Sequence, residues 1–170
     1  MTVIDEPKNH QMTEEKTRPG KYTPEVLLPV LRKAAAFRQE MLDVGFTDNG
    51  GAIHSAERIL NTLSLRVKYP DLGHMNKLKN YPRAEFSPAA LKAFGRGEKV
   101  QIEHVSPHRE YTRKVISLIN EGADDSEVLR FIRDNYRLVL LTPDETLRLN
   151  RINRSKLDPQ RLENAGISIA

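Results

Sequence analysis

The boundary at Thr142 constrains the fold of this chain more than any other segment. The apolar run Leu138-Val139-Leu140-Leu141 ends directly on Thr142-Pro143-Asp144-Glu145. A hydroxyl residue at the N-cap, proline at the first helical position and glutamate at the third make a capping box. A strand over 136–141 must therefore hand over to a helix within one residue. An earlier apolar run, Val100-Gln101-Ile102, leads into Glu103-His104 and reads as a second strand. Two helical patterns lie between the runs. The first covers 111–121 with Val115, Ile116 and Ile119 on one side and Gly122 as its stop; the second is capped by Asp125 or Ser126 and carries Val128, Leu129 and Ile132.

The first half is almost wholly helical. Thr23-Pro24-Glu25 opens a helix that runs to about Val44, with Val26, Leu27, Val30, Leu31, Ala34, Phe37, Met41 and Leu42 at three- and four-residue spacing and Gly45 as its stop. After the turn Asp48-Asn49-Gly50-Gly51, a second helix over 52–68 carries Ile53, Ile59, Leu60, Leu63 and Val67. The segment 69–88, broken by three prolines and a glycine, is expected to run irregularly over the surface, followed by a short helix over 88–94. The fold class expected is α+β, mostly helical, with a flexible arm over 1–20, a helical region over 21–95, a two-strand, one-helix module over 96–157 with a helical insertion between its strands, and a C-terminal tail over 158–170.

With 170 residues the chain can bury one real core. A net charge of +4 and a pI near 9.4 suit an anionic partner, nucleic acid ahead of membrane or protein. The absence of cysteine rules out disulfides, thiolate zinc sites and a cysteine nucleophile, and points to a reducing cytoplasm. No apolar run reaches the roughly 18 residues of a membrane span, and the polar first twenty residues lack the apolar core of a signal peptide. The apolar richness of the first helix would also serve a homodimer.

Hydrolysing a phosphodiester needs a base for water, a cation for the phosphate's growing charge, and groups that hold both in line. His104, at a strand end, can be the base. Glu103 points to the opposite face of an ideal strand, but at a strand terminus the two can converge on one site. Asn135 is placed to hydrogen-bond a backbone carbonyl near the histidine. Thr146, Asn150 and Asn153 share a face of the last helix, and an oxygen ligand from it, Asn150 by preference, would join Glu103 around a hard cation such as Mg2+. Zinc is disfavoured because only His108 could approach as a second imidazole. Arg109, Arg113 and Lys114 after the histidine, and Arg148, Arg151 and Arg154 on the last helix, flank the site where a phosphate backbone would lie. Asp144 and Glu145 are explained by helix capping. His108 reads as an exposed loop residue, His54 as a packed or capping residue, and His74 and His10 as loop and tail residues.

The stretch Ile102 to Asn150 resembles the HNH, or ββα-metal, nuclease family. The resemblance rests on Glu103-His104-Val105-Ser106-Pro107, on Asn135 ahead of the apolar strand, and on the helix that follows. It implies that Glu103 is a metal ligand, His104 the general base, Asn135 the residue that orients the base loop, and Thr146 or Asn150 the final helix position. Glu145-Thr146 departs from the glutamate-histidine step of many members, and the helical insertion replaces a loop. The function expected is therefore a metal-dependent endonuclease acting on nucleic acid, DNA ahead of RNA. The alternative is a non-catalytic nucleic-acid- or protein-binding module on a degenerate nuclease fold, which Thr146 favours.

Overall fold

The structure, a computed structural model, describes residues 22–170; the arm expected over 1–20 and His10 lie outside the described residues. Helix α1 (Pro24–Asp43) packs along α2 (His54–Lys68) through Leu27, Leu28, Leu31, Ala34 and Ala35 against Ala56, Leu60 and Leu63. Gly45 takes a left-handed φ of 99° just past the end of α1, as a helix stop requires. The apolar periodicity of α1 splits into two stripes: Val26, Val30 and Phe37 form a second one roughly a third of a turn away, exposed to solvent.

After α3 (Pro88–Gly95) the chain enters β1 (Gln101–His104), then α4 (His108–Asn120), α5 (Asp125–Asn135), β2 (Leu138–Leu141) and α6 (Pro143–Ile152). The two strands pair antiparallel, with Gln101 opposite Leu141 and His104 opposite Leu138. This is the expected mostly helical α+β architecture, with a small two-strand sheet and a helical insertion between its strands. Both boundary motifs act as read or nearly so. Thr142 accepts from the Glu145 N–H while the Glu145 carboxylate accepts from the Thr142 N–H. At α5 the cap is Asp124, with Glu127 closing the box, one or two residues earlier than expected.

β2 is buried at all four positions because it is covered on both faces and both edges. Leu138 and Leu140 enter the main core, which gathers side chains from α1 through β2; Val139 and Leu141 enter a second, smaller cluster. Its free edge is taken by the chain at Phe86, where the Leu140 N–H donates to the Glu85 carbonyl and the Ser87 N–H to the Leu140 carbonyl.

Two expectations are corrected here. The segment 69–88 is no surface excursion: Tyr69, Leu72, Leu78 and Phe86 are buried, Met75–Asn80 forms a 3-10 helix, and the Tyr69 hydroxyl accepts the Leu138 N–H. The region 21–95 and the strands and helices of 96–141 share this main core, in keeping with one real core for a chain of this length. Residues 158–170 are not a tail. They form the short α7 (Arg161–Asn164), bury Leu162, Ala165 and Ile167 against the outer face of the sheet, and return to donate from the Ala170 N–H to the Phe86 carbonyl. Among the described residues no helix is long and apolar enough to cross a membrane.

Asp48, read as a turn residue, is only 8% exposed and joins α1 to α4. Both its carboxylate oxygens accept from Arg38 at 2.8 Å, and Arg113 Nε donates to it at 2.9 Å. The hydrogen bonds and charge of Arg38, aided by Arg113 and opposed by burial, hold its pKa down to about 2 from an ordinary 3.8. A depressed carboxylate pKa contributes stability above the unfolded value and loses it as pH falls through the folded one. The parent is therefore expected to exceed Asp48→Asn by about 2 kcal/mol near neutral pH, the gap closing between about pH 4 and pH 2. Urea unfolding of both across that range would check it; a gap that does not change with pH would count against this assignment.

Candidate active site

Cross-strand partners share a face of the sheet, so register alone decides where Glu103 and His104 point. Glu103 pairs with Val139 and faces the side of α6 and Arg161; His104 pairs with Leu138 and faces α2. They leave β1 on opposite faces, yet at the strand end both line a single cleft of about 600 Å³, together with Asn150 of α6. The end of the strand is where side chains on opposite faces can reach one cleft.

His104 is held by α2. Its Nε2 lies 3.3 Å from Asn61 Oδ1, which also accepts from the Tyr136 hydroxyl at 2.8 Å. An oxygen that accepts from Tyr136 takes a second donor on its remaining lone pair, so His104 carries its proton on Nε2 and leaves Nδ1 as the basic nitrogen. Its ring sits edge-on to Tyr136 and 5.0 Å from the ring of His108. Burial, with the charges of His108 and Arg161, lowers its pKa to about 4, so the imidazole is neutral at physiological pH.

The Glu103 carboxylate has neither a hydrogen bond nor an ion pair among the described residues. Burial raises its pKa, and the nearby Arg161 charge partly offsets the shift. Arg161 itself is 2% exposed. It donates to the carbonyls of His104 (2.8 Å), Val105 (3.3 Å) and Asn153 (2.8 Å), and reaches Asn150 Oδ1 at 3.4 Å. One guanidinium thus bolts the end of β1 to the end of α6 and sets Glu103 and His104 against Asn150. One signal of it is local: Asp158-Pro159 ahead and Gly166 behind are helix punctuation around Arg161 and Leu162.

The remaining candidates divide. Arg109, Arg113 and Arg154 line the cleft; Lys114, Arg148 and Arg151 are exposed outside its wall. Arg109 is engaged by Glu57 and Asn49, and Arg113 by Asp48 and Glu110, so both cations are largely neutralised in the fold. Arg148 Nε donates to the Ala165 carbonyl and braces α7. The Asn135 side chain does not reach the histidine loop: its amide donates back to Phe131 one turn earlier in α5, and only its main-chain carbonyl holds the loop, by accepting from the Ser106 hydroxyl at 3.1 Å. Of the two final-helix candidates, Asn150 is in the cleft wall; Thr146 is not, and its hydroxyl is buried without a partner.

Besides Arg161, three further contributors are not assigned to the site by the sequence. Glu57 and Asn61 stand four apart on α2, a same-face pair visible in the sequence, but only tertiary packing brings that face to β1. His108, read as an exposed loop residue, is the first residue of α4 and half-buried; Nε2 donates to the Glu57 carbonyl at 3.0 Å, Nδ1 is buried without a partner, and burial lowers its pKa.

No three histidine, aspartate or glutamate side chains gather around a metal-sized point among the described residues. A magnesium-type ion needs less, one or two carboxylates with water and substrate phosphate completing its shell. The unpartnered Glu103 carboxylate and Asn150 Oδ1 fit that donor set and not a nitrogen-rich one. Comparison with models of protein families, with curated proteins and with solved structures finds no match to the chain.

Proposed function

We propose that the chain is a divalent-cation-dependent endonuclease that hydrolyses phosphodiester bonds in DNA, with β1, β2 and α6 serving as a ββα-metal-like module. The observation that carries this is the meeting of Glu103, His104 and Asn150, from two separate elements, in the wall of one arginine-rich cleft. Glu103 and Asn150 would hold the ion. A bound divalent cation supplies neutralisation of the charge that builds on the attacked phosphate and its leaving oxygen.

His104 takes the proton of the attacking water at Nδ1, the nitrogen left free by its bond to Asn61. A base with a pKa of about 4 is weak, but it is wholly unprotonated at neutral pH, and an anionic phosphate beside it raises its proton affinity. Arg154, without an ion pair among the described residues, is positioned to bind phosphate. Arg161 is a positioning residue, holding the strand end that presents the base.

Thr146 supports a second reading, a non-catalytic nucleic-acid- or protein-binding module, since it supplies no ligand to the cleft. Incubation with plasmid and short duplexes, with magnesium or manganese and a chelator control, separates the two. Chelator-sensitive cleavage is expected. A salt-sensitive gel shift with no cleavage in either metal would transfer the conclusion to the binding module.

A further inference from the structure

The cleft at Glu103 and His104 is the middle of three. A cavity of about 320 Å³ adjoins it on the α2 side, sharing Glu57, His104 and His108 and reaching Arg58. Another, of about 540 Å³, adjoins it on the other side, sharing Glu103 and running along the free edge of β1 to Asn76 and Lys79. Glu103 and His104 sit at the two junctions, so the three hollows form one groove with the dipeptide at its centre.

Each hollow carries one cation whose side chain has neither an ion pair nor a hydrogen bond among the described residues: Arg58, Arg154 and Lys79 respectively. The other arginines of the central cleft are committed, Arg109 to Glu57, Arg113 to Asp48 and Glu110, and Arg161 to backbone carbonyls. Carboxylates tell the same story in reverse, because Glu57 and Glu110 are neutralised and Glu103 alone is unpaired, at the point where the ion would bind. An uncommitted cation on either side of a reaction centre is the charge pattern of a polyanion bound across it. No Phe, Tyr or Trp lines any of the three hollows, so the large aromatic platforms on which single strands stack their bases are missing and the strand is gripped chiefly by its backbone.

We infer that this groove is the track for one strand of a DNA duplex, with Arg58 and Lys79 as phosphate contacts on opposite sides of the scissile bond. The inference rests on the endonuclease reading and adds the path of the substrate to it. Neither residue follows from the sequence pattern: Arg58 lies on α2, and Lys79 in the segment expected to be irregular surface.

The test is binding of a fluorescein-labelled duplex, and of its single strand, by the full chain in chelator, followed by anisotropy across a salt series. Arg58→Glu and Lys79→Glu are each expected to weaken duplex binding about tenfold near 0.1 M salt and to lower the salt slope by about one. Lys33→Glu, on the outer side of α1, should leave binding within about twofold, and circular dichroism melts would show all three variants folded. If the parent binds duplex and both groove variants bind equally well, the track is wrong while the endonuclease reading stands on its cleavage assay. A parent that prefers the single strand overturns the duplex assignment. A parent that neither binds nor cleaves overturns the endonuclease reading and the track with it.

Discussion

His104→Ala is expected to lower metal-dependent cleavage by about a hundred- to ten-thousand-fold, the range that a positioned general base contributes, with duplex affinity nearly unchanged. The side chain lies at the strand end against Asn61 and Tyr136, and its Nδ1 is free for the proton of water. Equal turnover by parent and variant would sink this mechanism. A second readout does not depend on the nuclease reading. Because the folded histidine takes a proton only near pH 4 and the unfolded one near 6.5, the unfolded state binds more protons between those values. Stability should therefore be unaffected above about 6.5 and fall as the pH drops toward 4, by up to about 3 kcal/mol. The alanine variant should lack this part of the acid sensitivity, which parallel urea titrations would reveal. The kcat/KM of the parent, which reports the base in the free protein, is expected to hold level through pH 6.5 rather than decline there, since His104 is unprotonated before substrate binds.

Arg161→Ala is expected to have the largest effect on the fold. The guanidinium satisfies the carbonyls of His104, Val105 and Asn153 inside a site almost closed to water. Removing it leaves buried acceptors unpaired, each costing about 1–3 kcal/mol, besides a cavity. A total loss of about 3–5 kcal/mol should appear as a marked drop in the urea midpoint. Arg161→Lys keeps a charge but not the planar fork that reaches several carbonyls at once, so it should recover only part of the loss. A midpoint within error of the parent would mean that β1 and α6 are joined by their apolar contacts alone. Restored stability in a variant that still cleaves slowly would mark Arg161 as a positioning residue for His104.

The elements legible in the sequence are those encoded by neighbours along the chain. Thr142-Pro143-Asp144-Glu145 forms its capping box, Gly45 ends α1, and both strands fall where the apolar runs placed them. These depend on dihedral preferences and on contacts from i to i+4, which a single sequence displays. The errors are of another kind. α1 carries more apolar residues than one face can bury, and nothing local says that Leu27, Leu28 and Leu31 go inward while Val26, Val30 and Phe37 stay out. Leu72 and Leu78 sit in a proline-broken segment without periodicity, and nothing local marks them for the main core that they enter.

At the candidate site the same division holds. Sequence by itself determined that Glu103 and His104 would stand at a strand end, that Asn150 would follow on a well-capped helix, and that arginines would flank both. Tertiary structure alone decided that α2 supplies Asn61 to fix the histidine, that Asp48 and Glu57 neutralise arginines expected to bind nucleic acid, and that a residue assigned to a tail is the buried bolt of the site. The physical reason is that charge is neutralised and polar groups are satisfied by whatever the fold brings near. A buried Arg161 and an exposed Arg154 look alike in sequence, and only the carbonyls around one and the open cleft before the other tell them apart.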